Sequence, residues 1–126
     1  MREKAVTPQE AAAREALFLD VREPYEWAAG HISGALHIPI GQIQARIGEV
    51  DRDRQVIVVC QIGQRSALVA DFLDAQGYDA YNLEGGLEAW TAGGLPLDND
   101  DSSGKLVDGW ARGMDGRRLD GTDDAQ

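Results

Sequence analysis

Gln55-Val56-Ile57-Val58-Val59-Cys60-Gln61-Ile62-Gly63-Gln64-Arg65-Ser66 is the stretch that decides the fold. After the opening glutamine its first residues are β-branched and apolar, with no alternation of polar and apolar positions. Successive side chains of a strand face opposite sides of the sheet, so a run that is apolar on both sides belongs to a central parallel strand covered by helices on both faces. A short loop with one glycine follows. A helix is then expected over 66–76, where Leu68, Val69, Phe72 and Leu73 recur at helical spacing and Gly77 takes the left-handed C-cap position. Cys60 stands at the carboxyl end of this strand, where open α/β sheets place their ligand crevices.

Working upstream, Thr7-Pro8-Gln9-Glu10 reads as a helix start, with Thr7 as cap, Pro8 in the first turn and Glu10 completing a capping box. Leu17-Phe18-Leu19-Asp20-Val21 is a brief apolar run that suits a buried strand. A short helix over 24–29 should stop at Gly30, and Ala35-Leu36-His37-Ile38 reads as another strand, closed by Pro39. Ile43 and Ile47, four apart, mark a modest helix after Gly41. Downstream, 78–83 supplies a further strand, Gly85-Gly86 a turn, and 87–92 a last short helix around Trp90. Strands alternating with helices predict an α/β fold with a mainly parallel sheet.

The chain has 126 residues, the size of one domain, and carries a net charge of −10 from 12 basic and 22 acidic residues. That balance argues against nucleic acid and against an anionic membrane surface, both of which call for a cationic footprint. Met1-Arg2-Glu3-Lys4 mixes charge signs with no apolar run behind it, so a cytoplasmic location is expected. The composition divides the chain into a domain over 1–97 and a tail over 98–126. The tail holds eight Asp against four Lys or Arg, with several glycines, and is expected to be flexible. Leu106, Trp110 and Met114 are spaced for a transient amphipathic turn, which Gly109 and Gly113 oppose.

A single cysteine rules out an intramolecular disulfide and a resolving thiol. A lone cysteine is often only a small buried hydrophobe. The neighbours of Cys60 argue otherwise. Gln61-Ile62-Gly63-Gln64-Arg65 is a tight segment ahead of a helix, able to turn several backbone N–H groups inward as an anion-binding nest. Arg65 adds a full positive charge. A free thiol has a pKa of about 8.5, and surroundings of this kind lower it, which populates the nucleophilic thiolate near neutrality. The candidate site is therefore Cys60 as nucleophile, with Gln61, Ile62, Gly63, Gln64 and Arg65 as the substrate-binding loop.

The same loop, together with Leu19-Asp20-Val21-Arg22-Glu23, Tyr25-Glu26-Trp27, Gly30-His31-Ile32-Ser33-Gly34-Ala35, Ile38-Pro39 and Tyr81-Asn82-Leu83-Glu84-Gly85-Gly86 followed by Trp90, resembles the rhodanese family over residues 5–97. The resemblance implies a single-domain α/β rhodanese-like fold and a sulfurtransferase. The Cys60 thiolate would take a sulfane sulfur from thiosulfate or a persulfide donor, hold it as a persulfide, and pass it to a thiol, to cyanide or to a protein acceptor. No metal and no organic cofactor is implied, and a monomer is expected. Asp20, Arg22, Glu26 and His31 then read as a structural network, with Asp20–Arg22 a partly buried ion pair, His31 a hydrogen-bonded core histidine and His37 a strand residue. Gln61 and Gln64 stand where some relatives carry arginine or lysine, which makes thiosulfate a weaker donor than a persulfide. Two other readings are a non-catalytic binding or regulatory module, and a phosphatase or arsenate reductase. The latter resembling enzymes hold one residue more between cysteine and arginine, so the narrower loop here suits a sulfur atom better than a phosphate ester.

Overall fold

The computed structural model describes residues 4–99, and the remaining expectations for the tail lie outside the described residues. Five strands form one parallel sheet in the order β1-β5-β4-β2-β3: β1 Ala5–Val6, β2 Leu17–Asp20, β3 Leu36–His37, β4 Gln55–Val59 and β5 Asp79–Leu83. Five helices accompany them: α1 Pro8–Ala12, α2 Pro24–Ala29, α3 Ile43–Arg46, α4 Gln64–Ala75 and α5 Gly86–Ala92. β4 is central, as its two-sided apolar pattern requires.

The alternation of side chains along β4 divides the core into two layers. Val56, Val58 and Cys60 pack with Ile43 of α3 and with Val69, Ala70 and Leu73 of α4. Ile57 and Val59 pack on the opposite side with Ala11 of α1 and with Leu87 and Trp90 of α5. Trp90 also meets the ring of Phe18 edge-on at 5.7 Å and donates its indole N–H to the Pro96 carbonyl at 2.8 Å. The capping box at Thr7 and Glu10 is present in both directions, at 3.1 and 2.9 Å.

The sequence-based expectations differ from the structure at several places. β1 is only two residues long and pairs with Asn82 and Leu83, too short for any periodicity. α4 begins at Gln64, two residues earlier than Ser66, because Gly63 takes a left-handed conformation (φ 101°) and lets the chain enter the helix at once. α5 likewise begins at Gly86, which had read as part of a turn. The helix around Ile43 and Ile47 is one α-turn between two 3-10 turns, Ile40–Gln42 and Ile47–Glu49. At the far end, Asp98 pairs with His31 through two backbone hydrogen bonds of 2.7 Å, so the paired chain runs one residue past the change in composition.

Leu68 is the clearest exception within α4. It shares the helical spacing of Val69, Phe72 and Leu73 but is 68% exposed, whereas Leu73 is fully buried. Leu73→Ala should therefore lower the unfolding free energy by about 2–5 kcal/mol. Leu68→Ala should stay within about 0.5 kcal/mol of the parent. Urea unfolding of the two variants checks the assignment of faces; a larger loss from Leu68→Ala would overturn it.

Candidate active site

Cys60 follows the last residue of β4 and is fully buried. The three residues after it bring the chain round so that three donors face its sulfur. The Gly63 N–H lies 3.1 Å from Sγ, the Ser66 N–H 3.4 Å, and the Ser66 hydroxyl 3.2 Å. Burial pushes the thiol pKa up, but the hydrogen bonds from the Ser66 hydroxyl and from the N–H groups of Ser66 and Gly63, helped by the more distant Ile62 N–H, outweigh it. The net effect holds Cys60 below the ordinary thiol value. Such a cysteine carries more thiolate near neutrality than a free one.

The loop is held from beneath by the first turn of α5. The Leu87 N–H donates to the Cys60 carbonyl at 2.9 Å and the Glu88 N–H to the Gln61 carbonyl at 3.0 Å. This approach leaves no room for a side chain at position 86, because a Cβ on Gly86 would lie 2.5 Å from the Gln61 oxygen and 2.6 Å from the Cys60 oxygen. Asn82, on β5, ties the loop from the side by donating its amide Nδ2 to the Gly63 carbonyl at 3.2 Å. Its Oδ1 lies 2.6 Å from the Ser66 hydroxyl. Ser66 and Asn82 were not among the residues expected to build the site; Ser66 had read only as the helix start, and Asn82 is 16 residues away from it.

The loop residues sit differently from one another. Ile62 is exposed, and Gln61 accepts from Arg22 Nη1 at 3.2 Å through its side-chain oxygen. Gln64 and Arg65 belong to the first turn of α4 rather than to the loop. Arg65 is also not a free cation. Its guanidinium grips Glu26 of α2 in a two-pronged pair of 2.8 and 3.0 Å, which raises its own pKa and lowers that of Glu26 to about 2. The negative charge of Glu26 thus cancels the cation expected to attract a donor.

A second ion pair lies deeper. Arg22 binds Asp20 through Nε and Nη2, with Nη2 at 2.8 Å from Oδ2, both residues being buried. Arg22 Nη2 also donates to the Gly30 carbonyl at 2.6 Å, so this one side chain joins β2, the end of α2 and the Cys60 loop. His31 is a buried, hydrogen-bonded histidine: its Nδ1 lies 2.9 Å from the Trp27 carbonyl, and its ring stacks on the indole at 3.7 Å. His37 does more than fill a strand, since its Nε2 reaches the Arg22 carbonyl at 2.8 Å and its ring also stacks on Trp27. Carbonyls only accept, so both histidines carry a proton on the nitrogen named.

The depressed pKa of Glu26 is a statement about stability. Its contribution is present above the ordinary value of 4.5 and disappears as pH falls toward about 2. Because the pair is partly open to solvent, Glu26→Gln should cost about 1 kcal/mol at neutral pH. The difference from the parent should shrink between those two pH values, as measured by urea unfolding across that range. A difference that persists at pH 2 would mean that the carboxylate charge is not what holds α2 to α4.

Residues 5–93 match the Rhodanese-like domain family. Among curated relatives, a putative sulfurtransferase of Bacillus subtilis, YtwF, is 40% identical over 87 residues, covering 68% of this chain and 84% of that protein. The thiosulfate sulfurtransferase GlpE of Pseudomonas entomophila is 36% identical over 91 residues, covering 69% of this chain and 84% of its own length. Among solved structures, a rhodanese-related protein from Thermoplasma volcanium superposes with a TM-score of 0.74 at 29% identity, covering 78% of this chain and 100% of the other. These relatives support sulfurtransferase activity in general terms. With its parallel five-stranded sheet, its Cys60 loop and this match across most of its length, the chain belongs to the rhodanese-like domain family.

Proposed function

We propose that the chain is a sulfurtransferase that carries a sulfane sulfur as a persulfide on Cys60. The observation that supports this most is the seat around Sγ, where two backbone N–H groups and one hydroxyl converge on a buried sulfur. In the first half-reaction the Cys60 thiolate attacks the outer sulfur of the donor. A new S–S bond forms at Sγ, the donor's own bond to that sulfur breaks, and its electron pair leaves with sulfite when thiosulfate is the donor, or with a thiolate when a persulfide is. In the second, an acceptor thiolate or cyanide attacks the outer sulfur and the Cys60 thiolate is released. Ping-pong kinetics follow from this order.

The charge balance bears on the donor. Arg65 is neutralised by Glu26 and Arg22 by Asp20, so a dianion would be met chiefly by the backbone donors of the loop, inside a protein of net charge −10. A persulfide carries less charge and presents a slender terminal sulfur, which suits a nucleophile with no exposed surface of its own. The favoured donor is therefore a persulfide, with thiosulfate accepted less well and a thiol the acceptor.

Incubation with thiosulfate or a small persulfide, followed by desalting, should add about 32 Da, one sulfur atom, to the intact mass. Cys60→Ser should lose both the adduct and turnover; turnover that survives in that variant would sink the proposal. Gln64→Arg places an unpaired cation in the first turn of α4, and should raise kcat/KM for thiosulfate severalfold while leaving that for a neutral-tailed persulfide near the parent value. Equal effects on both donors would show that charge is not what limits thiosulfate.

A further inference from the structure

Ser66 has one hydroxyl proton and two acceptors for it. Asn82 Oδ1 lies 2.6 Å from the hydroxyl oxygen, and Cys60 Sγ lies 3.2 Å away. The orientation of the Asn82 amide is fixed independently: the atom facing the Gly63 carbonyl must be the nitrogen, because a carbonyl only accepts, so the atom facing Ser66 is the oxygen. Ser66 is fully buried, which leaves water out of the competition. We propose that Asn82 is a positioning residue that competes with the Cys60 sulfur for the single hydroxyl proton of Ser66, and so governs when that sulfur is held as an anion.

With Cys60 as a thiol, every group is satisfied. The S–H donates to the Ser66 oxygen, and the Ser66 hydroxyl donates to Asn82. Forming the thiolate turns the Ser66 proton toward Sγ and strips Asn82 Oδ1 of its donor, leaving two oxygens facing each other at short range. Once Cys60 carries a persulfide, the charge sits on the outer sulfur, Sγ is neutral, and the proton returns to Asn82. No proton leaves the Ser66 oxygen in this cycle; only the acceptor of its hydrogen bond changes. The inference rests on the reading of Cys60 as the nucleophile.

The charged groups on the elements around Cys60 are the same in all four variants. They are the Glu26–Arg65 pair joining α2 to α4, the Asp20–Arg22 pair at the end of β2, Asp71 and Asp74 further along α4, Asp79 at the start of β5, and Glu84 and Glu88 flanking the Gly85-Gly86 turn before and within α5. His31 and His37, near α2 and in β3, bond to backbone carbonyls rather than to Cys60.

The test is the pH dependence of Cys60 alkylation by iodoacetamide, read by intact mass, in the parent, Asn82→Ala, Ser66→Ala and the double variant. Removing the competing acceptor should lower the alkylation midpoint, whereas a residue that merely tethers Gly63 would loosen the N–H donors when lost and raise it. The double variant isolates the tether. The effect of Asn82→Ala with Ser66 intact, less its effect in the Ser66→Ala background, should favour the thiolate by about threefold to tenfold, the weight of one ordinary hydrogen bond. A difference of zero or of opposite sign overturns the proposal. Asn82→Leu, similar in shape and without an acceptor, replaces the alanine variant should the latter fail to fold. Iodoacetamide reads Cys60 without any sulfur donor, so failed turnover sinks the sulfur-transfer reading alone, and failed coupling sinks this one alone.

Discussion

The carbonyls of Cys60 and Gln61 are gripped from below by the first N–H groups of α5, at 2.9 and 3.0 Å, and this contact governs the rest of the site. Because those two carbonyls point down into α5, the N–H groups that follow are free to face the sulfur. The approach is possible only because Gly86 has no Cβ. It also ties the two ends of the sheet motif together, since β5 delivers both the Gly85-Gly86 turn and Asn82 to the loop that β4 begins. A side chain at position 86 would push the loop off its support and misdirect the donors before it disturbed the core.

The charges near the loop are arranged in pairs that cancel. Glu26 and Arg65 close the gap between α2 and α4, while Asp20 and Arg22 fasten β2 to the end of α2 and to Gln61. Burying one member of such a pair alone would be costly, so each pair behaves as a single neutral strut. On the reading of Cys60 as a sulfur carrier, the stabilisation of an anionic sulfur is thereby left to the backbone N–H groups of Gly63 and Ser66 and to the Ser66 hydroxyl, dipoles that bring no counter-charge for a competing anion to bind. That division of labour suits a strongly acidic protein, whose own field works against a cation-built anion site.

β4 and the position of Cys60 were legible because a buried parallel strand writes itself as an uninterrupted β-branched run, and because the residues that cap it are contiguous. The Thr7–Glu10 capping box was legible for the same reason, being local. What was not legible depends on pairings across long stretches of chain. Arg65 looked like a loop cation because its partner Glu26 is 39 residues away, and Ser66 looked like a helix start because Asn82 is 16 away. Leu68 shows a different limit: helical spacing identifies a stripe but not its edge, and the outermost member of the stripe faces solvent. β1 escaped notice because two residues carry no period, although Ala5 and Val6 add the edge strand beside β5.

On the reading of Cys60 as a sulfur carrier, its thiolate has two opposing duties. It must attack in the first half-reaction, where nucleophilicity falls as the thiol becomes more acidic, and it must leave in the second, where greater acidity helps. Donors crowded onto Sγ without restraint would favour departure at the expense of attack. Ser66 is the adjustable member of the seat, because the backbone N–H groups of Gly63 and Ser66 cannot turn away while the loop rests on α5, whereas a hydroxyl can rotate. An acceptor on β5 that draws that one proton away moderates the acidity without removing any donor from the fold. The compromise between attack and release is then set by the balance between a sulfur and an amide oxygen for one hydrogen atom.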